Sequence, residues 1–131
     1  AIITYLMKKE ALGAGDINNL LNKESGLLGI SGLSNDMRDI KAAVKKGNKR
    51  SALALEIFIY RIVKYIGAYT ASMNGVNAII FTAGIGEHHK DIAETIKSKL
   101  SNVIKGFKAK VLIIPTNEEL MIARDVYEKI T

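Results

Sequence analysis

NAIIFTAGIGEHH, the stretch from Asn77 to His89, decides the fold of this 131-residue chain. An apolar run rich in β-branched residues, Ala78 to Phe81, leads into two closely spaced glycines and then into an amphipathic segment. This order predicts a buried strand, a tight turn and the start of a helix. Such a junction can hold a phosphate, because glycine lets the backbone approach a ligand closely and a helix start presents unpaired N–H groups to an anion.

The glycine pair by itself leaves two explanations open. The pattern Gly84-x-Gly86 has a histidine where a dinucleotide fingerprint has its third glycine, and no acidic residue follows at the usual distance. Many strand-to-helix turns contain two glycines only because the turn needs positive φ angles. The motif therefore indicates either a backbone requirement or a ligand site.

A second apolar run, Val111 to Ile114, predicts a partner for this first strand. A helix is expected between the two runs, from about His89 to Leu100, and the order strand, helix, strand favours parallel pairing. The stretch from Ser101 to Lys110 is basic and without a clear pattern, so we expect a loop there.

The segment after Pro115 predicts a final helix with a carboxylate at its start. Thr116 and Glu119 have the spacing of a capping box, in which each side chain satisfies the free backbone N–H of the other. Glu118 then remains as a carboxylate at the carboxyl end of a strand, where open α/β sheets bind ligands and where it could hold Mg²⁺ mostly through water. The alternative is a glutamate that only stabilises the helix dipole.

The first part of the chain predicts short helices and an ordered loop. The apolar spacing in Ile2 to Lys9 indicates a helix, and Asp16 is the expected N-cap of the next one. Repeated glycine and serine from Asn22 to Asn35 argue against a regular helix, so we predict an ordered loop pinned by its leucine and isoleucine side chains.

Two further helices are expected before the first strand. Ser34 or Asn35 can cap a helix that carries Asp36 in its first turn and runs to about Lys46. From Ser51 to Asn74, apolar residues recur at steps of three and four. This predicts one long helix, buried in the core or shared with a partner subunit.

Composition limits the class of protein. The net charge is +6, and lysine and arginine concentrate in Arg38 to Arg50 and in Lys97 to Lys110. No zinc-finger or RNP pattern accompanies them, so a solvated basic face is favoured over a nucleic-acid surface. Cysteine is absent, and we see neither a membrane-length apolar run nor a secretory pattern. We therefore expect a cytoplasmic chain without membrane contact, and its start at Ala1 suggests a piece of a larger protein.

Three separated stretches together resemble the C-terminal part of the acetate kinase family, in the superfamily of acetate and sugar kinases, Hsc70 and actin. The stretches are NKESGLLGISGLSNDMRDI (Asn22 to Ile40), NGVNAIIFTAGIGEH (Asn74 to His88) and IPTNEELMIARD (Ile114 to Asp125). Their order and content match the family, and the similarity covers nearly the whole chain. It favours the ligand-binding explanation of the glycine pair.

The resemblance implies an α/β fold, namely the ribonuclease-H-like nucleotide-binding lobe found at the C-terminus of a two-lobe kinase, here incomplete. Residues 1–131 would form this single nucleotide-binding and dimerisation lobe, without the N-terminal lobe. The family transfers the γ-phosphoryl of ATP reversibly to acetate, with Mg²⁺ or Mn²⁺, and yields acetyl phosphate and ADP. A homodimer through this lobe is also implied.

The resemblance assigns site residues by position. Nucleotide contacts fall on two segments, and the magnesium site falls on one carboxylate. The first segment is Asp36, Met37 and Arg38; the second is Gly84, Ile85, Gly86, Glu87 and His88; the carboxylate is Glu118. A guanidinium suits the nucleotide and a carboxylate suits the metal.

The chain also departs from the family. The family usually has Asn where this chain has His88, and it carries a longer stretch between Phe107 and Lys108, so residues are either deleted or missing there. The acetate pocket and the groups that stabilise the transferring phosphoryl belong to the absent lobe. We therefore assign no catalytic residue in this chain and expect it to be inactive alone.

Two other functions are compatible with the sequence. The acceptor could be propionate or another short-chain carboxylate, since the acid pocket lies outside these residues. The charge of +6 and the lysine clusters would also suit a non-catalytic module that binds polyanions.

Overall fold

The computed structural model describes residues 2–84 and 88–130. The chain divides into two compact units, residues 1–61 and 62–131. Helices dominate both units, and a small parallel sheet lies in the second. The expected α/β class is confirmed.

The first unit is helical throughout its regular structure. Its elements are α1 (Ile2–Lys9), α2 (Ala14–Asn19), a π-helical segment (Leu20–Glu24), α3 (Gly26–Ser31), α4 (Met37–Lys45) and the first part of α5 (Lys49–Ser72). Its buried apolar side chains are Ile17, Ile40, Ala54 and Ile59. The helix expected from Ile2 to Lys9 is confirmed.

Helix α2 begins before the cap that the sequence suggested. The prediction that Asp16 is its N-cap is wrong, because Asp16 is the third residue of the helix. Its carboxylate accepts a hydrogen bond from the Gly13 N–H, at 2.9 Å, and so satisfies a donor at the helix start. Gly13 is the N-cap.

Helix α3 replaces part of the loop predicted from Asn22 to Asn35. The prediction is wrong here because packing overrides the low helix propensity of glycine and serine. Gly29 allows a close approach that another residue would block: a Cβ atom there would lie 3.0 Å from the carbonyl oxygen of Glu24. The helix ends at Gly32, whose φ of 66° is the left-handed conformation of a C-cap glycine.

Helix α4 is capped by Asp36, which we had placed in the first turn. The Asp36 carboxylate accepts a hydrogen bond from the Arg38 N–H, at 2.8 Å, so neither Ser34 nor Asn35 is the N-cap. The Ser34 hydroxyl has another role: it accepts a hydrogen bond from the Asp36 N–H and donates one to Asp39. Ile40 is completely buried and fixes the helix in the core.

The long helix is confirmed with nearly the predicted ends. Helix α5 covers Lys49–Ser72, and Asn48 caps it by accepting a hydrogen bond from the Ser51 N–H, at 2.9 Å. The apolar stripe predicted along α5 is buried only in the first half of the helix. Tyr69 and Met73, on the same predicted stripe, are 62% and 61% exposed.

The second unit contains the sheet. Strand β1 (Ala78–Phe81) pairs in parallel with β2 (Lys110–Ile113), and Phe81 lies opposite Ile113. Parallel pairing is therefore confirmed. The strand is buried on one face only, since Ile79 and Phe81 are buried while Ile80 is 52% exposed.

The described part of the second unit also contains the second part of α5 and the helices α6 (Lys90–Lys99), α7 (Ser101–Phe107) and α8 (Glu118–Ile130). Helix α6 confirms the prediction and buries Ile92, Ala93 and Ile96. Helix α7 lies where a loop was expected. The sequence signal was present but hidden among lysines, because Val103, Ile104 and Phe107 recur at helical spacing.

None of the helices in the described part of the chain combines the length and apolarity that a membrane span needs.

Candidate functional site

The predicted site residues fall into both units. Asp36, Met37 and Arg38 belong to the first unit, whereas Gly84, His88 and Glu118 belong to the second. Ile85, Gly86 and Glu87 lie outside the described residues.

In the first unit, Asp36 holds the side chain of Arg38. The Arg38 Nε donates to both carboxylate oxygens of Asp36, at 3.0 and 3.1 Å, and Nη2 donates to Oδ2. This hydrogen bonding, followed by the charge of Asp36, raises the pKa of Arg38 above its ordinary value. The guanidinium stays charged and oriented while its side chain is 81% exposed, so it can meet an anionic ligand.

A groove of about 630 Å³ opens on another part of helix α4. Asp39 and Lys46 line it, together with the turn at Gly47 and Asn48. Asp36, Met37 and Arg38 are not among its lining residues, so this groove does not coincide with the predicted nucleotide contacts.

In the second unit, the carboxyl ends of β1 and β2 lie side by side. The Ile114 N–H donates to the carbonyl oxygen of Phe81, at 3.0 Å, and the Ala83 N–H donates to the Thr116 hydroxyl oxygen, at 3.1 Å. This edge carries Gly84 after the first strand and Glu118 after the second. The topology thus brings a predicted nucleotide residue and the predicted metal ligand to one edge of the sheet.

Gly84 itself is not needed for a left-handed turn. The positive φ at this position of the chain belongs to Ala83, at 49°, and Gly84 does not adopt the left-handed region. Among the described residues, a Cβ atom built on Gly84 would meet no atom beyond its chain neighbours within 4 Å. A left-handed backbone therefore does not explain the glycine at position 84, and its role in ligand binding stays a prediction.

The predicted capping box at the start of α8 is wrong. Asn117 is the cap, because its side-chain oxygen accepts a hydrogen bond from the Leu120 N–H, at 3.0 Å. The Thr116 hydroxyl instead bonds to Ala83. Asn117 is one residue closer to the helix, and its short side chain reaches the N3 donor. Glu119 therefore takes no part in a cap. The argument that left Glu118 as the free carboxylate, because Glu119 was assigned to the capping box, no longer holds.

Glu118 is the first residue of α8 and is exposed. Among the described residues, no three His, Cys, Asp or Glu side chains gather to form a complete metal cage. One exposed carboxylate still suits Mg²⁺, which keeps several waters and commonly binds through one or two carboxylates and the phosphates of its substrate. The oxygen donor fits this metal.

The two histidines differ in environment. His88 is exposed, whereas His89 is half-buried at the start of α6. The His89 carbonyl oxygen accepts hydrogen bonds from the Ile92 and Ala93 N–H groups, at 2.9 and 3.2 Å. His89 thus accepts the first hydrogen bonds of α6, a helix that buries Ile92, Ala93 and Ile96.

Comparisons with known proteins agree on one family. A sequence model of the acetokinase family matches residues 1–108. The chain is 47% identical to an acetate kinase of Heliobacterium modesticaldum and 49% identical to one of Acetivibrio thermocellus, over 97% and 95% of its length. It spans only 36% of each of these relatives.

Solved structures show the same likeness. A crystal structure of Porphyromonas gingivalis acetate kinase matches 99% of this chain with a TM-score of 0.86 and 37% identity. A propionate kinase of Francisella tularensis matches 93% of it with a TM-score of 0.77 and 38% identity. The chain covers 38% and 36% of these two proteins. The expected fold, a partial α/β kinase lobe, is thereby confirmed.

Proposed function

Because this chain belongs to the acetokinase family, we propose that it is the C-terminal, nucleotide-binding lobe of an acetate kinase. The observation that carries the proposal is the match to a solved acetate kinase over 99% of the chain, at a TM-score of 0.86. The reaction is the reversible transfer of the γ-phosphoryl of ATP to acetate, which yields acetyl phosphate and ADP. Such a chain works in the cytoplasm, where its nucleotide substrates are.

The nucleotide is held from two segments. Asp36, Met37 and Arg38 provide an oriented guanidinium at the start of α4, and the exposure of Arg38 supports this role. The segment of Gly84, Ile85, Gly86, Glu87 and His88 provides backbone N–H groups, and the open space over Gly84 supports close approach of a ligand. An imidazole at His88 would make the contact that an amide makes in the family.

Glu118 would hold Mg²⁺, or Mn²⁺, together with water and phosphate oxygens. The metal, when bound, neutralises charge on the phosphates during phosphoryl transfer. Glu118 is exposed at the start of α8, which follows β2, and the exposure of this residue supports the proposal that it meets the metal.

The second substrate to identify is the carboxylate that accepts the phosphoryl group. The structural likeness to a propionate kinase, at 38% identity, favours propionate as an alternative acceptor. Nothing in this chain is assigned to the acid, which would bind in the part of the kinase that precedes it. The ratio of kcat/KM for acetate and propionate in an active kinase that contains this lobe decides between them.

We propose that this chain lacks a segment of the family at the junction of Phe107 and Lys108. The family match ends at residue 108, and the alignment with the Heliobacterium acetate kinase runs over 145 residues, which is longer than this chain. The relative therefore has residues that this chain lacks. We place them between α7 and β2.

A homodimer through this lobe is part of the proposal. Several large side chains of α5 are exposed, among them Tyr60, Tyr65 and Tyr69. An apolar surface of this kind is typical of subunit contacts. Sedimentation of the purified chain at several concentrations measures its association.

Grafting tests the proposed function. Residues 1–131 replace the matching third of the Heliobacterium acetate kinase in two chimaeras, one direct and one with the segment of the relative restored between Phe107 and Lys108. We expect the restored chimaera to form acetyl phosphate and the isolated chain to form none. An inactive but folded restored chimaera would contradict the proposal, and so would activity of the isolated chain.

Binding measurements distinguish a nucleotide-binding lobe from a module that binds polyanions. The isolated chain should bind ADP with Mg²⁺ in preference to duplex DNA. Binding to DNA that falls steeply with salt, without preference for nucleotides, would favour the module instead.

A further inference from the structure

The ladder between β1 and β2 ends on a side chain. After the Ile114 N–H has donated to the Phe81 carbonyl oxygen, a regular parallel pair would send the Ala83 N–H to the carbonyl oxygen of Ile114. The structure departs from this pattern. The Ala83 N–H donates to the hydroxyl oxygen of Thr116, at 3.1 Å and 33 residues away along the chain.

The departure coincides with an uncommon backbone conformation. Ala83 has a φ of 49°, in the left-handed region that L-residues other than Asn and Asp rarely occupy. Alanine has no polar side chain that could stabilise this conformation locally. The conformation persists only where the surroundings hold it, and the hydrogen bond to Thr116 is a direct contact that does so.

This hydrogen bond joins the two functional segments of the second unit. Ala83 directly precedes Gly84, and Thr116 precedes Asn117, the cap of α8, and Glu118. The conformation of Ala83 sets the direction in which the chain leaves β1, while the position of Thr116 is tied to the start of α8. This contact thus ties the position of Gly84 to that of Glu118.

Resting on the proposed nucleotide role of this edge, we propose that Thr116 is a positioning residue of the kinase. Its hydroxyl holds Ala83 in the left-handed conformation, and this presents Gly84 to the nucleotide at the sheet edge that also carries Glu118. Thr116 acts on the ligand through Ala83. Neither the glycine motif nor the supposed capping box suggests this function.

Three variants of the 131-residue chain test the role. Thr116→Val removes the hydroxyl at nearly constant volume, Thr116→Ser keeps it, and Ala83→Gly makes the left-handed conformation available without strain. The dissociation constant of ADP, with and without Mg²⁺, is measured by calorimetry. Hydrogen exchange of the Ala83 amide is followed by NMR, and the midpoint of urea unfolding is followed by circular dichroism.

Thr116→Val should raise the dissociation constant of ADP about 3- to 10-fold, the effect of losing one net hydrogen bond. It should also speed exchange of the Ala83 amide. Thr116→Ser should stay within about twofold of the unsubstituted chain. In the Ala83→Gly background the effect of Thr116→Val should shrink to about twofold or less, since glycine no longer needs the hydroxyl to hold the turn.

The outcomes distinguish a failure of the proposed function from a failure of the role proposed for Thr116. If the unsubstituted chain binds no ADP, the proposed function is wrong and the positioning role fails with it. If the chain binds ADP and Thr116→Val binds it equally well, only the role of Thr116 is wrong. An effect of Thr116→Val that is unchanged in the Ala83→Gly background also overturns it, because the threonine would then act elsewhere.

Discussion

Asp36 caps helix α4 with the same carboxylate that holds the guanidinium of Arg38. The Arg38 N–H donates to Oδ1 at 2.8 Å, and Nε of the same residue donates to Oδ1 and Oδ2 at 3.0 and 3.1 Å. One side chain therefore stabilises the helix and orients an exposed guanidinium. The two roles differ in what they require, because a cap needs an oxygen acceptor and the guanidinium needs a negative charge.

Substitution at Asp36 should separate these roles. Asp36→Ala removes both, so the free energy of unfolding should fall by about 1 kcal/mol and binding of ADP should weaken. Asp36→Asn keeps a good cap, so stability should change little while ADP binding still weakens, about 2- to 5-fold for an exposed ion pair. Urea unfolding and calorimetry measure the two quantities. Equal stability losses in both variants would show that the cap is not what Asp36 contributes.

Glu118→Gln should remove the gain in ADP affinity that Mg²⁺ provides. Glu119→Gln is a matched control, because both residues lie exposed in the first turn of α8 and each change removes one charge near the helix dipole. Stability should therefore fall equally in the two variants, by about 0.3–1 kcal/mol. Calorimetric titrations of ADP with and without Mg²⁺ are the measurement. If Glu119→Gln abolished the gain in ADP affinity from Mg²⁺ and Glu118→Gln kept it, the metal ligand would be Glu119 and the proposal for Glu118 would be wrong.

Gly84→Ala should weaken ADP binding and leave the free energy of unfolding within about 0.5 kcal/mol. The added Cβ meets no protein atom within 4 Å and needs no left-handed backbone. It would occupy the space that a ligand approaches. A variant that binds ADP normally would argue that the nucleotide does not approach this glycine.

Gly75→Ala is expected to show the opposite behaviour. Gly75 has a φ of 128°, and a Cβ atom there would lie 3.0 Å from two carbon atoms of the Phe107 ring. The free energy of unfolding should fall by about 1–3 kcal/mol, while ADP affinity of the folded chain should be unchanged. Urea unfolding detects the change. Full stability in this variant would mean that the turn after α5 tolerates a side chain.

Asn117→Ala should destabilise helix α8 by about 1 kcal/mol, and Asn117→Asp should restore most of this loss. Glu119→Ala is expected to cost less than Asn117→Ala, since Asn117 provides the cap. Urea unfolding of the three variants gives the comparison. The reverse order would favour the capping box that the sequence suggested.

The elements with strong patterns were predictable from the sequence, and the ends of short elements were not. Helix α5 and the parallel strands follow from long periodic or apolar runs. Helix α3 was missed because glycine and serine argue against a helix, and the close contact that requires Gly29 cannot be seen in the sequence. Helix α7 was missed although its apolar residues recur at steps of three and four.

The candidate site residues stay a prediction, and several of their contacts could not be predicted. Asp36, Gly84 and Glu118 come from motif and resemblance, and they lie at a helix start and at a sheet edge. The cap at Asn117 and the hydrogen bond of Thr116 to Ala83 were not found. A contact over 33 residues leaves no local pattern, and two neighbouring side chains that can both cap a helix compete on geometry alone.

Helix α3 has a consequence for the order of events during folding. A six-residue helix with two glycines and one serine is too short and too weak to persist in the unfolded chain. It forms only when the π-helical segment and α4 are in place to bury it. We therefore expect substitutions in α3 to change the unfolding rate and leave the refolding rate almost untouched, so that the segment leading into Asp36 is completed after the folding barrier is crossed.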